Sequence, residues 1–468
     1  MKYIFLLISL FTFNFLQAQV TGVVKDAAGE PIPGANVFWM NTTNGVTTNE
    51  DGNFSIHKPA RSHMLVVSFI GFENDTIHVD KGNQQLDIVL REGVELSEVN
   101  VVTRKLGTMK LRTSVMNEDM ISSAELTRAA CCNLGESFVT NPSVDVSYSD
   151  AATGAKQIKL LGLSGTYVQM MTENIPNFRG AAAPYGLGYV PGPWMQSIQV
   201  SKGSSSVKNG YESITGQINV EFKKPQLPEA DWVSANLFAS STNRYEANAD
   251  ATVKLSKRWS TSLLAHYENE TKSHDSNDDG FVDIPRVEQY NVWNRWAYMG
   301  DHYVFQAGIK ALHETRNSGQ IAHGNTPSHD LYEIGIKTNR YEAFTKNAYI
   351  FDKEKNTNLA LILQGTLHNQ DANYGRKLYD VDQSNFYASL LFETELSKQH
   401  SLSAGLSFNY DGYDQNYRLT NQAEEGLTKK FVKESVPGAY VQYTFNLNDQ
   451  LMLMGVFGEI TVVNTAFL

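Results

Sequence analysis

Cys131 and Cys132 are the only thiols in the 468-residue chain, and they are adjacent. Paired thiolates with nearby thioethers favour copper(I) and similar soft ions, and Met170, Met171 and Met195 are the thioethers within reach in sequence. The competing readings are that the cysteines are small buried residues of a helix, that each methionine is packing, or that the two thiols close a strained vicinal disulfide.

A second constellation, Asp275, Asn277, Asp279 and Asp283 around Gly280, has the oxygen spacing of a calcium loop, with the glycine at the sharp turn. Arg286 stands where an EF-hand carries its bidentate glutamate, which leaves a calcium-binding loop or a plain polar hairpin. His313, His323 and His329 lie close in sequence, but their irregular spacing disfavours a shared metal. Phe178 and Arg179 precede a Gly- and Pro-rich run, 180–193, that carries Tyr185 and Tyr189 and ends against Trp194. Aromatics there suit an organic chelate or a sugar, and Arg179 suits a carboxylate or phenolate. Alternatively, the rings seal one element against another. No Ser/His/Asp arrangement or phosphate-cradling loop stands out, so neither an enzyme nor a required cofactor is expected.

These residues must be positioned by elements of two kinds. From about residue 229 to 468 the chain repeats ten-residue stretches of alternating apolar and polar residues separated by turns. Val441, Tyr443, Phe445 and Leu447 oppose Gln442, Thr444, Asn446 and Asn448, and Leu402, Ala404, Leu406, Phe408 and Tyr410 oppose the serines and Asn409 between them. Such strands meet lipid on one face and water or a packed globule on the other, as in an antiparallel transmembrane β-barrel. Upstream, residues 114–228 mix helix and strand, with a helix expected over Glu125 to Phe138 that buries Leu126, Leu134 and Phe138. Residues 19–92 read as a small β-sandwich with strands at Thr21 to Lys25, Ala35 to Met40, Phe54 to Ile56 and Leu65 to Ile70. Residues 93–113 form either a linker or an exposed strip that a partner pairs with by strand addition.

Residues 1–18, with Lys2, an apolar stretch from Tyr3 to Phe15 and Ala18, read as an export signal. No other stretch approaches the roughly 20 apolar residues of a transmembrane helix. The net charge of -11 gives no reason to expect a nucleic-acid partner.

Specific motifs sharpen this outline. Gly22-Val-Val-x-Asp26, Gly29-x-Pro-x-Pro-Gly-Ala-x-Val37, Thr48-Asn-Glu-Asp-Gly-x-Phe54 and Phe69-Ile-Gly-Phe72 resemble the carboxypeptidase-regulatory-like domain. Glu95-Leu-Ser-Glu-Val-Asn-Val-Val-Thr103 resembles the TonB box of outer-membrane receptors, which puts Leu96, Val99, Val101 and Val102 in the box. Gln157 to Leu163 and Val168 to Pro176 resemble the paired strands of the receptors' plug, although Leu161-Gly162 replaces the usual Arg-Gly. Ile198 to Gly203, Ser206 to Tyr211 and Ile214 to Val220 resemble its last segment.

Taken together, the order resembles a TonB-dependent outer-membrane receptor: mainly β, with an N-terminal β-sandwich, an α+β plug and a partial antiparallel barrel. That family's barrels have about 22 strands. The roughly 240 residues after position 228 hold about ten or eleven, and 462–468 reads as lacking a closing strand, so a truncated receptor is expected. The resemblance implies import of a scarce small ligand, here a metal ion or metal chelate, with copper as one candidate. It also implies contact with outer-membrane lipid, a periplasmic N-terminal domain and a partner in the inner-membrane TonB energy-transducing complex. Glycan or peptide uptake, or a non-transporting binding or signalling module, are the alternatives.

Overall fold

The computed structural model describes residues 19–26, 29–40, 42, 44–59, 63–69, 72, 74–79, 85–90, 108–110, 117–128, 132–139, 141–203, 208, 210, 212–225, 232–321, 331–420, 426–448 and 451–467. The export signal, the TonB-box residues Leu96, Val99, Val101 and Val102, and also Cys131, His323 and His329, lie outside them. The chain divides into two compact units, Met1–Thr103 and Arg104–Leu468.

The first unit is a two-sheet sandwich. Strands β1 (Gln19–Lys25), β4 (Asn53–His57) and β7 (Gln85–Val89) form one sheet in the order β4-β1-β7. Strands β2 (Asn36–Trp39), β3 (Gly45–Thr47), β5 (Met64–Ser68) and β6 (Asp75–His78) form the other, in the order β3-β2-β5-β6. Val20, Val24, Val37, Trp39, Ile56, Leu65 and Val67 alternate inward to make its core. Gly22 must be glycine because a Cβ there would lie 2.7 Å from the Phe54 ring.

The second unit begins with a globule around a six-stranded sheet. Its strands β8 (Thr108–Lys110), β9 (Asn117–Ser122), β12 (Val168–Thr172), β13 (Ile175–Pro176), β14 (Met195–Lys202) and β15 (Gly216–Phe222) run in the order β13-β12-β15-β14-β9-β8. A separate hairpin joins β10 (Val144–Asp150) to β11 (Ala155–Leu160). The two runs read from sequence as paired plug strands therefore do not pair with each other: β11 pairs with β10, and β12 with β13 and β15.

The helix expected over 125–138 is also corrected. The α-helix α1 spans only Ser123–Arg128, and Leu134–Glu136 is a separate 3-10 turn. Asn133 separates them because its extended backbone and a side-chain oxygen accepting from the Glu136 N–H start a new turn. Leu126, Leu134 and Phe138 are nonetheless buried in the core, as the apolar spacing requires.

The remainder is a twelve-stranded antiparallel sheet. Its strands are β16 (Trp232–Ala239), β17 (Arg244–Lys254), β18 (Trp259–Glu270), β19 (Arg286–Met299), β20 (Tyr303–Gly319), β21 (Glu333–Asp352), β22 (Thr357–Tyr374), β23 (Lys377–Ser397), β24 (His400–Arg418), β25 (Thr428–Asn448), β26 (Leu451–Ile460) and β27 (Val463–Phe467). Each strand from β16 to β26 pairs with the next. The segment expected to lack a closing strand forms a short strand that closes nothing among the described residues: β27 continues β26 along the same neighbour, pairing with Phe431–Ser435 of β25 beyond the Gly438–Asn448 stretch that β26 covers.

One face of this sheet wraps the globule and the other is exposed. On the outer face, Tyr267 and Trp259, Tyr290 and Tyr298, and Tyr341 and Tyr349 stand eight residues apart on β18, β19 and β21. At ~3.3 Å per residue and a tilt of ~40°, two aromatic rows at that spacing bracket an apolar band about 20 Å tall. Val292 and Ile309 lie exposed within it. This is the lipid face of a membrane barrel, and the globule is its plug.

Candidate functional site

Short turns at 255–258, 300–302, 353–356 and 398–399 join the strands at one end of the sheet. The other end carries the longer connections 271–285, 320–332 and 419–427, together with tight turns at 240–243 and 375–376. Outer-membrane barrels keep their short turns inside and their long loops outside.

At the long-loop end, plug and wall line an open cavity of about 170 Å³. The plug contributes Asn133, Glu136, Tyr148, Lys156 and Tyr185, and the wall contributes Arg244, Glu268, Glu270, Gln289, Glu314 and Arg316. Arg244 organises the boundary, with nitrogens 2.9 Å from Glu136, 2.7 Å from Glu246 and 2.9 Å from Glu268. Arg316 lies 3.1 Å from Glu314, donates to the Thr153 carbonyl at 3.1 Å and has its guanidinium 4.9 Å from the Tyr185 ring centre.

Charges on the plug side respond to this company. Burial would raise the Glu136 carboxyl, but Arg244 and Lys156 outweigh it and hold the group below the usual glutamate range. Burial lowers the Lys156 ammonium despite Glu136. The Cys132 thiol, buried and hydrogen-bonded to Glu246, is pushed well above its ordinary value, first by burial and then by the Glu246 charge. It is therefore a protonated thiol at neutral pH, and a metal binding there must displace that proton.

The residues singled out from sequence are only partly gathered here. Tyr185 lines the cavity. Tyr189 and Trp194 are sealed between plug and wall: Trp194 packs 6.3 Å from Trp293 and 6.5 Å from His266, and Tyr189 lies 6.3 Å from His368. Tyr189 and Trp194 therefore seal plug against wall, while Tyr185 faces the cavity. Arg179 is engaged by Glu212 at 2.7 Å and Asp411 at 2.8 Å, so it works as a plug-to-wall tether. Met171 and Met195 are buried and Met170 packs against the plug core, and none of the three lines the cavity.

In the 275–283 loop the carboxylates turn onto their own backbone. Asp275 accepts from the Gly280 N–H at 2.9 Å, Asp279 from the Phe281 N–H at 2.9 Å and Asp283 from the Ser276 N–H at 2.7 Å, while Asn277 donates to Asp279 at 2.9 Å. His313 faces outward beside Asn339. Sequence reasoning passed over Arg244, Glu268, Glu270, Gln289, Glu314 and Arg316. Their signal was ionic residues two apart on strand faces, as in Arg244 and Glu246, Glu268 and Glu270, or Glu314 and Arg316, where other strands carry Asn and Ser.

A plug wrapped by a membrane-facing wall, with a lined cavity at the long-loop end, defines a plugged outer-membrane receptor. Residues 20–102 match the CarboxypepD_reg-like domain and residues 110–217 the TonB-dependent Receptor Plug Domain. The chain belongs to the TonB-dependent receptors and carries an N-terminal CarboxypepD_reg-like domain. It is 28% identical over 245 residues to the TonB-dependent receptor SusC of Bacteroides thetaiotaomicron, covering 49% of this chain and 24% of that protein. The ferripyoverdine receptor of Pseudomonas aeruginosa shares the fold at a TM-score of 0.64 and 13% identity, over 81% of this chain and 57% of that one. The copper transporter OprC shares it at a TM-score of 0.60 and 11% identity, over 77% and 60%. The match thus spans about a quarter of the curated relative and under two thirds of the solved structures.

Proposed function

We propose that this receptor takes up a scarce ligand, a metal ion or metal chelate with copper as the leading cargo, across the outer membrane. The inner-membrane TonB complex supplies the energy by pulling on the strip around Leu96, Val99, Val101 and Val102. The observation that carries this reading is the cavity at the long-loop end, where Arg244 joins Glu136 of the plug to Glu268 of the wall, with the Cys132 thiol hydrogen-bonded to Glu246 on the same arginine. A ligand seated there contacts plug and wall together, so its arrival is felt by the element that must move. The copper transporter and the ferripyoverdine receptor support the reading at the level of the fold alone.

Replacing Cys131, Cys132, Met170 and Met171 and then measuring growth and metal content under metal limitation tests the cargo. Growth and content should fall; unchanged values remove the metal while leaving the transporter. Calcium in the 275–283 loop is a separate proposal, tested by whether chelation lowers the unfolding temperature. A second cargo reading, a glycan or peptide, is favoured by Tyr148 and Tyr185 at the cavity wall. Growth on candidate glycans separates the two.

A further inference from the structure

Among the described residues no three His, Cys, Asp or Glu side chains converge to coordinate a metal directly. Discrimination in the cavity at the long-loop end must then come from charge and hydrogen bonding. Every cation of its wall is already engaged: Arg244 by three carboxylates, Arg316 by Glu314, and Lys156 by Glu136 at 3.7 Å. Glu270 is different. It lines the cavity with only 7% of its surface exposed and makes no ion pair or hydrogen bond among the described residues, and Arg244, His274 and Arg316 act on its charge only from farther off. A carboxylate in that position is costly unless something pairs with it.

Gln289 supplies an independent sign. It lines the same cavity at 1% exposure, and its Nε2 donates to the Gly188 carbonyl at 3.3 Å and to Glu314 at 2.8 Å. Its Oε1 meets no donor among the described residues. Buried polar atoms are almost always satisfied, so this one invites a missing donor. The cavity therefore holds out two acceptors, one of them charged.

We propose that the cavity binds a cation through that cation's own shell of N–H or O–H donors, with Glu270 matching the charge and Gln289 Oε1 accepting a hydrogen bond. The inference rests on reading this cavity as the ligand site. An aquo or ammine shell around a metal and an organic ammonium share this chemistry, and they are the two sources to separate.

The test is equilibrium binding to the full chain in detergent micelles. Hexaamminecobalt(III) probes an inert N–H shell, zinc chloride an exchangeable one, spermidine an organic ammonium and hexacyanoferrate an anion. The cobalt complex should bind more weakly as salt rises. Its affinity should drop roughly tenfold in Glu270→Gln, as expected for losing a charge-assisted hydrogen bond. Glu270→Asp should retain binding, which guards against a merely misfolded variant.

Spermidine binding that is lost in the same variant assigns the organic source, and binding confined to the cobalt complex and zinc assigns the metal shell; both support the inference. Unchanged cobalt affinity in Glu270→Gln overturns it, as does equal affinity for hexacyanoferrate, or zinc binding that requires Cys132 while the cobalt complex does not bind. A chain that binds the cobalt complex but supports no metal-dependent growth keeps this inference and overturns the metal cargo.

Discussion

Arg295, on the inner face of β19, and Glu173, at the turn between β12 and β13, form an ion pair whose two side chains are almost wholly buried. The same guanidinium donates to the Lys223 carbonyl at 2.7 Å and lies 4.5 Å from the Trp293 ring centre, while Lys346 donates to the Glu173 carbonyl at 2.6 Å. The wall thus grips the plug at a turn where Glu173 and Asn174 both adopt positive φ.

Removing one partner leaves the other as an uncompensated buried charge. Arg295→Met should cost about 3–5 kcal/mol of plug stability, and Arg295→Met with Glu173→Gln should cost clearly less. Urea unfolding followed by tryptophan fluorescence measures both, since Trp194 and Trp293 lie 6.3 Å apart at the plug boundary. Equal losses would show that the pair is not coupled.

Acid and alkali should loosen the plug for opposite reasons. Glu136 and Glu173 are held below the usual range; burial opposes this, but Arg244 for Glu136 and Arg295 for Glu173 win. A depressed folded value gives stability that is present above the ordinary glutamate value of about 4.3 and lost as pH falls through the folded value. The Cys132 thiol is raised by burial and then by Glu246, so its contribution is full below the ordinary thiol value of about 8.5 and lost as pH rises further. Melting against pH should be flat between these limits, with Glu136→Gln softening the acid fall and Cys132→Ser the alkaline one.

Gly216 opens β15 at φ +153°, where a Cβ would run into the Ser201 carbonyl and the Leu160 side chain. Both neighbours belong to the plug core, and overpacking of that kind costs about 1–3 kcal/mol before backbone strain is added. Gly216→Ala should speed proteolysis within 114–228 while leaving the wall protected. Gly455→Ala, with nothing within 4 Å of the new methyl, is the matched control.

Ile309 is 70% exposed and lies midway between the two aromatic rows. Ile309→Arg should destabilise the membrane-inserted form by about 2–4 kcal/mol, whereas Thr315→Arg, beyond the upper row on the same strand face, should cost about 0–1. Folding titrations into vesicles measure the difference. Equal costs would mean that this face does not meet hydrocarbon.

Much of the wall was legible because strand alternation is local: Val441 and Leu447 are exposed, as their parity requires. What the inner face meets was not legible, because polar residues on a strand face read alike whether they line water or grip a plug. Arg295, Lys310 and Arg340 reach Glu173, the Tyr189 carbonyl and Asn177, plug groups that come from more than 100 residues away. Cys132 was read as part of a helix over 125–138, but it stands just before Asn133, whose extended backbone caps a new turn. Glu270 and Gln289 were invisible for a related reason: lacking a partner is a property of three-dimensional neighbours, not of spacing.

The most direct measurement deletes residues 95–103 and follows ligand binding and energised uptake in parallel. Binding at the cavity should persist while uptake falls to the level of cells lacking the TonB complex. Uptake that survives the deletion would contradict transport by pulling on that strip.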